Sequence, residues 1–274
     1  MHSRITLGMR YTSDLTDAEW QLIDYCFPKP AKTGRPREHA FRELVNTIFY
    51  LTKTGCQWRN LPEHFARWGT VYHYFRLWKR NGLWVAIHTH CREHVRVAVG
   101  RNRHPRAGII DSQSVRSTEC SDERGYDAGK KINGRKRHIL VDTIGLLLLV
   151  TVLPANLQDR DGARQLLTGF FSQCQSMRRR VRHIWADGGY AGTLVEWTLK
   201  LWRCTLEIVK RNELHTFKVL PRRWVVERTF GWLGRCQGNT SRTSSQGASS
   251  AMAPDSLVRG QVIGRASGHH EPGR

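Results

Sequence analysis

The sequence has few of the features that mark secreted or membrane proteins. Seven cysteines occur among 274 residues and none forms a Cys-x-x-Cys pair, so neither a disulfide framework nor a zinc ribbon is indicated. The longest hydrophobic run, residues 146–153, is far shorter than the roughly 20 residues of a membrane-spanning helix. Residues 1–20 lack the apolar segment of a signal peptide. We therefore expect a reduced, cytoplasmic protein with no membrane partner.

Acidic residues are also scarce. The chain has 23 Asp and Glu against 44 Lys and Arg, which gives a formal net charge of +21. The excess is spread along most of the chain, and ten tryptophans accompany it. Basic charge combined with aromatic side chains favours nucleic acid as the partner over a membrane-binding tail. A merely basic soluble protein is the alternative.

Three carboxylates stand out against this basic background because each lies in an apolar segment. Asp111 is predicted at the end of a short apolar strand, and Asp187 ends a second such run. Glu227 lies inside a helix-like segment of bulky apolar residues, 222–233. Burying a carboxylate is costly unless a cation or hydrogen-bond donors meet it. The pattern therefore predicts a divalent-metal site that faces a polyanion.

Phosphodiester chemistry explains why three carboxylates are sufficient. Two Mg²⁺ ions, roughly 3.5–4 Å apart, activate the nucleophile and stabilise the leaving oxygen, and Mg²⁺ takes only one or two carboxylates besides water and phosphate. We predict that Asp111, Asp187 and Glu227 are catalytic residues and ligands of Mg²⁺, with Mn²⁺ as an alternative. Each has a simpler explanation, because aspartates cap turns and Glu227 can pair with Arg223 on its own helix. Weaker acidic candidates, beside Arg or in polar loops, are Asp142, Asp159 and Asp161.

The first hundred residues predict helices. Thr16 and Glu19 form a capping box at the start of the first one. Apolar residues recur at helical spacing in residues 41–49. A later helix that opens at Thr70 has an apolar inner face and an outer face of aromatic and basic groups, as in a helix-turn-helix recognition helix. An ordinary charged surface is the alternative for that face.

Several basic and aromatic residues are predicted to contact DNA. Two lie in a basic arm at residues 32–37, whose alternative is a solvated loop, and five lie on the outer face of the helix that opens at Thr70. The others lie in a polar, Gly-rich stretch at residues 117–134, in the strand after it and in the Glu227 helix. The predicted DNA-binding residues are Arg35, Arg37, Tyr72, His73, Arg76, Lys79, Arg80, Lys130, Lys131, Arg135, Lys136 and Arg223.

The composition suggests three parts. Residues 1–105 are expected to form a helical DNA-binding domain, ending in a basic linker that contains proline. Residues 106–236 are expected to form an α/β domain in the order β-β-β-α-β-α-β-α, with Asp187 on the fourth strand. Residues 237–274 are rich in Ser, Gly and Ala without an apolar period, which predicts a disordered or frame-altered tail.

Several motifs resemble those of bacterial insertion-sequence transposases of the IS5 family, within the IS4/IS5-like DDE group. The resemblance covers about residues 11–235. The motifs are Gly-Cys-Gln-Trp-Arg at 55–59, Ile-Ile-Asp-Ser-Gln-Ser at 109–114, Gly-Tyr-Asp-Ala-Gly-Lys-Lys at 125–131, Gly-Arg-Lys-Arg-His at 134–138, Gln-Asp-Arg-Asp-Gly at 158–162, Trp-Ala-Asp-Gly-Gly-Tyr at 185–190 and Arg-Arg-Trp-Val-Val-Glu-Arg at 222–228.

The resemblance implies an RNase H-like mixed-sheet catalytic domain that follows a helix-turn-helix-like domain. It implies that Asp111, Asp187 and Glu227 are the Asp, Asp, Glu triad that binds Mg²⁺. The implied partners are DNA, as terminal inverted repeats and target, and further copies of the chain in a homodimer or larger DNA complex. The family has a Tyr, Arg, Glu, Lys signature around the Glu, and Arg223 occupies its Arg position. Other residues occupy its Tyr and Lys positions, namely Leu220 and Gly234.

We therefore expect a DNA transposase, with Mg²⁺-dependent cleavage of element ends and strand transfer into target DNA. Two alternatives remain open. One is a catalytically inert DNA-binding remnant, or a repressor of transposition, with a damaged C-terminus. The other is an RNase H-like nuclease that cleaves DNA without strand transfer.

Overall fold

The computed structural model describes residues 11–29, 36–116, 124–173, 177, 179–209 and 223–234. These residues form two compact units that divide between Ala98 and Val99. The predicted tail at 237–274 lies outside the described residues. Within the described ranges, none of the helices combines the length and the apolar character that crossing a bilayer requires.

The first unit is helical where it is described. Its helices are α1 Asp17–Ile23, α2 Phe41–Thr54, α3 Trp68–Arg80 and α4 Leu83–Ala98, with single 3₁₀ turns at Asp24–Cys26 and Trp58–Asn60. Helix α3 begins two residues earlier than predicted. The predicted capping box is confirmed at the start of α1. The Thr16 hydroxyl accepts a hydrogen bond from the Glu19 amide at 3.2 Å, and the Glu19 carboxylate accepts one from the Thr16 amide at 2.7 Å.

Aromatic side chains fill the core of the helical unit. The ring of Trp78 on α3 packs edge-on against the rings of Phe41 and Trp84. The predicted inner face of α3 is confirmed, because Val71 and Phe75 are buried together with Trp78. The opposite side of α3 is consequently turned towards solvent.

The second unit is built on a six-stranded sheet. Its strands are β1 Ala107–Arg116, β2 Gly125–Asp127, β3 Ile132–Asp142, β4 Leu147–Pro154, β5 His183–Asp187 and β6 Thr205–Val209. Its helices are α5 Asp159–Gln173, α6 Thr193–Trp202 and α7 Arg223–Gly234.

The strand order makes the sheet mixed. The long strand β3 pairs antiparallel with β1 along one edge and with β2 and β4 along the other. On the far side of β1, β5 pairs with it in parallel, and β6 continues in parallel beyond β5. This is the RNase H-like arrangement that the resemblance implied. The prediction of only three strands before α5 was wrong, because β2 is a short polar strand that is defined by its pairing with β3.

The two faces of the sheet are covered by different helices. One face packs against α5 in a buried cluster whose strand residues are Ile110, Leu140, Leu148, Ile184, Ala186 and Leu206. Successive strand residues point to opposite faces, so Asp111 and Asp187 belong to the other face. Helix α7 contacts β1, and its apolar residues pack outside the α5 cluster. We therefore assign α7 to the face that carries the two aspartates.

Candidate active site

Asp111 lies in the middle of β1 rather than at the end of a strand, which corrects the sequence-based expectation. Strand β1 continues through polar residues 112–116 because these pair with residues 134–138 of the long strand β3. Asp111 is half-buried. One of its carboxylate oxygens accepts a hydrogen bond from the Ser112 amide at 2.7 Å, which fixes the orientation of the carboxylate.

Asp187 is the last residue of β5, as the apolar run before it predicted, and it is exposed. It also caps the 3₁₀ turn Gly188–Tyr190 by accepting a hydrogen bond from the Gly189 amide at 2.9 Å. The turn-capping explanation of this residue therefore holds. The same bond fixes the orientation of its carboxylate at the end of the strand.

The strand register brings the two aspartates together. Parallel pairing of β1 with β5 runs from Ala107 opposite His183 to Ile109 opposite Trp185. Extending that register by two residues sets position 111 beside position 187. Neighbouring strands are about 4.8 Å apart, so pairing continued in this register would make the two carboxylates neighbours on one face of the sheet.

Glu227 lies on α7 and is exposed. Its helix covers the sheet face to which both aspartates belong. In the part of the chain that the structure describes, no three His, Cys, Asp or Glu side chains form a ready-made metal site. By that assignment Glu227 and the two aspartates share one side of the sheet, but the described residues close no three-ligand site.

The charges around Tyr190 test whether the aspartates suit a divalent cation. The pKa of the Tyr190 hydroxyl is raised well above its ordinary value, first by burial and then by the negative charges of Asp159, Asp111 and Asp187. Three carboxylates therefore act on one buried hydroxyl, and since Lys136 pairs with Asp159, the charges of Asp111 and Asp187 are the ones that favour a cation. Oxygen donors of this kind are the ligands that Mg²⁺ and Mn²⁺ accept, so the residues present fit the ion.

Asp159 is more central than the sequence suggested. At the start of α5, one of its oxygens accepts a hydrogen bond from the Ser112 hydroxyl at 2.8 Å. The Lys136 ammonium lies 3.2 Å from the same oxygen. Because Ser112 follows Asp111 directly, Asp159 ties the start of α5 to the strand that carries the candidate catalytic acid. The motif at residues 158–162 was the sequence signal for it.

Arg135 and Lys136 are buried on β3, which corrects the prediction that they contact DNA phosphates from the surface. The relative solvent-accessible surface is 9% for Arg135 and 6% for Lys136. The Lys136 ammonium donates to the Leu157 carbonyl at 2.9 Å and lies 3.7 Å from the Asp127 carboxylate. Its charge is therefore directed at protein groups, because a buried ammonium needs such partners.

Asp127 and Asp142 have structural explanations. The pKa of Asp127 is lowered, chiefly by a hydrogen bond from the Ser114 hydroxyl. Asp142 is fully buried at the end of β3, where it accepts hydrogen bonds from the amides of Ile144 and Leu146. Both carboxylates stabilise turns that connect strands of the sheet.

His138 is a buried histidine next to this group. Burial, the largest cause, lowers its pKa to about 4, and Lys136 and Lys130 add to the effect while Asp159 opposes it. Within the described residues, neither of its ring nitrogens has a hydrogen-bond partner. The ring lies so close to Gly162 of α5 that a Cβ there would come within 2.2 Å of it. His138 therefore acts as a neutral packing residue.

The remaining predicted DNA-binding residues lie mostly on the surface. The exposed ones are Arg37, Tyr72, His73, Arg76, Arg80, Lys130 and Lys131, whereas Lys79 is half-buried. The Arg76 guanidinium lies 5.8 Å from the Tyr72 ring centre. Arg35 lies outside the described residues. Arg223 is the first residue of α7, and its side chain also lies outside what the structure describes.

Comparison with known families gives two matches that follow one another along the chain. Residues 15–88 match a family of IS4/5 transposases, and residues 102–253 match the transposase DDE domain. The second match covers more than half of the chain. A comparison with curated protein sequences found no match.

Among solved structures, the chain is similar to three complexes of Mos1 transposase. One is a paired-end complex with the left transposon end, at 13% identity, and another is a paired-end complex with Mn, also at 13%. The third is a strand transfer complex, at 14%. All three have a TM-score of 0.26, and the first match covers 65% of this chain and 61% of the Mos1 chain.

Proposed function

Because the chain belongs to the DDE transposase family, we propose that it is an insertion-sequence transposase of the IS5 family that cleaves element ends and joins them to target DNA. The observation that carries the proposal is the parallel pairing of β1 with β5, because its register, continued by two residues, sets Asp111 beside Asp187. Glu227 is on the helix that covers the same sheet face. The charge of +21 supports a polyanionic substrate.

We propose that Asp111, Asp187 and Glu227 hold Mg²⁺, or alternatively Mn²⁺. Bound there, the ion supplies charge neutralisation and lowers the pKa of water for attack on a phosphodiester. The chain itself keeps the first two carboxylates oriented, because the amides of Ser112 and Gly189 each fix one oxygen. Orientation before the substrate arrives is what a phosphoryl-transfer site requires.

Both the helical unit and the sheet unit would bind DNA. Residues 1–105 are proposed as the DNA-binding domain that holds the terminal inverted repeats, and residues 106–236 as the catalytic domain. Exposed Tyr72 and Arg76 on α3 offer an aromatic and a basic group to the duplex. Two or more copies of the chain would act together, since an element has two ends.

Cleavage of the DNA that flanks the coding sequence tests this proposal. The unaltered chain should nick a labelled fragment of that DNA when Mg²⁺ is added. Asp111→Asn should lower the rate at least about 100-fold, because loss of a metal ligand removes several kcal/mol of transition-state stabilisation. Lys200→Ala is the control, since Lys200 is exposed on α6 and pairs with Glu196 of the same helix. Equal nicking by the unaltered chain and Asp111→Asn would reject the proposal.

A second candidate is a DNA-binding remnant or repressor of transposition. The departures at Leu220 and Gly234 from the family signature favour it. It predicts a gel shift of the end fragment without Mg²⁺-dependent nicking. A nuclease without transposase activity, by contrast, would nick the fragment but leave target DNA unjoined. The same reaction run with a target plasmid therefore separates the three functions.

A further inference from the structure

The helix that carries Glu227 is attached to the sheet by the two residues that follow it. The Arg228 guanidinium donates to the Ile144 carbonyl at 3.0 Å, and the Thr229 hydroxyl donates to the Gly145 carbonyl at 3.0 Å. Thr229 is fully buried. These bonds join α7 to the turn between β3 and β4, which is distant from α7 in sequence.

That turn, residues 142–146, has a fixed conformation of its own, and we refer to it as the docking turn. The buried carboxylate of Asp142 accepts hydrogen bonds from the amides of Ile144 at 3.0 Å and Leu146 at 2.9 Å. A carboxylate that bonds two amides of its own turn stabilises that turn. The carbonyls of residues 144 and 145 therefore meet α7 at defined positions.

Gly145 shows how closely the helix approaches. Its φ is +86°, and a Cβ there would lie 2.9 Å from the Val225 side chain and 3.1 Å from the Arg228 guanidinium. Glycine adopts this conformation without strain and leaves room for the helix. The sequence therefore sets both the shape of the docking turn and the distance at which α7 packs on it.

Arg228 is also held by its own helix. Its guanidinium lies 4.4 Å from the ring centre of Trp224 and 4.9 Å from that of Trp232, about one helical turn before and after it. Burial lowers its pKa, but a guanidinium stays charged in proteins. A guanidinium held between two aromatic rings has little freedom to leave the Ile144 carbonyl.

We propose that the docking turn sets the position of Glu227 over the sheet, with Arg228 and Thr229 as positioning residues. The inference rests on the proposed function of Asp111, Asp187 and Glu227. Since an α-helix is stiff over one turn, a displacement at residues 228 and 229 moves residue 227 with it. A misplacement of about 1 Å at a catalytic group lowers a rate by about 100-fold.

Thr229→Val tests the proposal with little change in side-chain size. It removes the bond to the docking turn and also a bond to the Val225 carbonyl within α7. Thr198→Val is the matched control, because Thr198 is equally buried and its hydroxyl bonds the Leu194 carbonyl within α6. Thr229→Ser, which retains the hydroxyl, should restore the properties of the unaltered chain.

Two measurements are made on each full-length variant. The first is the affinity of the chain for Mn²⁺ in the absence of DNA. It is measured from the electron paramagnetic resonance signal of the Mn²⁺ that remains free. It should weaken about tenfold in Thr229→Val, since one of three ligands is displaced. The second is the nicking rate at saturating DNA, which should fall about 100-fold, while end binding in a gel shift stays unchanged. A merely structural role would lower the melting temperature without changing the Mn²⁺ affinity of the folded chain.

The outcomes separate this inference from the function on which it rests. If Asp111→Asn nicks DNA as well as the unaltered chain, the proposed function fails. A second variant, Gly145→Ala, adds a Cβ 2.9 Å from the Val225 side chain and so pushes α7 away from the docking turn. If Asp111→Asn is inactive while Thr229→Val and Gly145→Ala keep the full nicking rate and Mn²⁺ affinity, the proposed role of the docking turn is overturned. Weakened Mn²⁺ binding in both of these variants, with Thr198→Val unaffected, supports it.

Discussion

Lys136 shows how burial decides what a basic residue does in a strongly basic protein. By sequence it belongs to a run of cations at residues 135–137, which suggests a phosphate contact. On β3 its ammonium instead lies beside the carboxylates of Asp159 and Asp127. Lys130 lies in the turn before β3 and is exposed. The two lysines therefore differ in environment although they belong to the same stretch of the chain.

Replacing each lysine by methionine should separate these roles. Lys136→Met should lower the free energy of unfolding by about 3 kcal/mol, because it leaves partly buried carboxylates without their cation. Lys130→Met should leave the free energy of unfolding nearly unchanged. It should reduce the slope of log affinity for DNA against log salt concentration by about one, because one counterion fewer is released on binding. Urea unfolding and salt titrations of a gel shift measure the two effects. A reduced salt slope in a fully stable Lys136→Met would restore the original prediction of a DNA contact.

His138 makes stability depend on pH in a defined direction. Its pKa is lowered to about 4 in the folded chain, against about 6.5 in an unfolded chain. Between these pH values the unfolded chain binds a proton at this imidazole that the folded chain does not bind. The contribution of His138 to the free energy of unfolding is therefore fully present above pH 6.5 and decreases as the pH falls towards 4. The loss between pH 7 and pH 5 is about 2 kcal/mol from this residue.

His138→Met should remove that contribution. Urea unfolding at pH 7 and pH 5 should show a smaller difference for the variant than for the unaltered chain, by about 2 kcal/mol. His73→Met is a suitable control because His73 is exposed on α3. An unchanged pH dependence in His138→Met would show that the buried imidazole does not govern acid stability.

The candidate acids show what single residues reveal by sequence. Asp187 was recognisable because an apolar run ends at it and two glycines follow. Asp159 was underestimated, because its flanking polar residues resemble a solvated loop and its partner Ser112 is brought to it only by the fold. Pairings of this kind depend on strand register, which the local pattern of residues does not contain.

At the scale of elements, helix α1 was the best defined in advance. Its start follows from a capping box, a signal in which two residues satisfy each other's backbone amides. The bonds between Thr16 and Glu19 are present in the structure. By contrast, β2 has three residues and no alternation of apolar and polar side chains, so no pattern marked it.

Removing the cap should shorten or loosen α1. Thr16→Ala should lower the free energy of unfolding by about 1 kcal/mol, because the Glu19 amide loses its acceptor. Thr16→Ser retains an oxygen at the same position and should stay within a few tenths of a kcal/mol of the unaltered chain. Thermal unfolding followed by circular dichroism compares the two. Equal melting temperatures for the Ala and Ser variants would show that the capping bond contributes nothing.

At the scale of the whole molecule, the charge of +21 should dominate DNA binding. A protein that neutralises about six to ten phosphates loses about 10³- to 10⁵-fold in affinity between roughly 50 mM and 200 mM salt. We expect the full chain to fall in that range on end DNA and on unrelated DNA alike. Fluorescence anisotropy at several salt concentrations measures the slope. A loss below about tenfold would mean that the basic residues do not face the duplex.

The division of the molecule was only partly accessible from sequence. The basic, proline-containing composition of the linker placed a boundary after residue 105, and the structure divides between Ala98 and Val99, at the end of α4. The order of strands in the sheet came from the family resemblance, because local patterns do not define which strands pair across long stretches of chain. Long-range pairing is the part of a fold that a single sequence defines least.

The parallel pairing of β1 with β5 also governs when the site is assembled during synthesis. Strand β1 lies at the centre of the sheet, yet His183, the partner of Ala107, is translated only after the β3–β4 hairpin and the whole of α5. Closing so long a loop is slow compared with forming a hairpin. A nascent chain therefore has its helical unit and the first strands of its sheet before Asp187 has left the ribosome, and the proposed site, which also needs Glu227, is complete only after α7 has been translated.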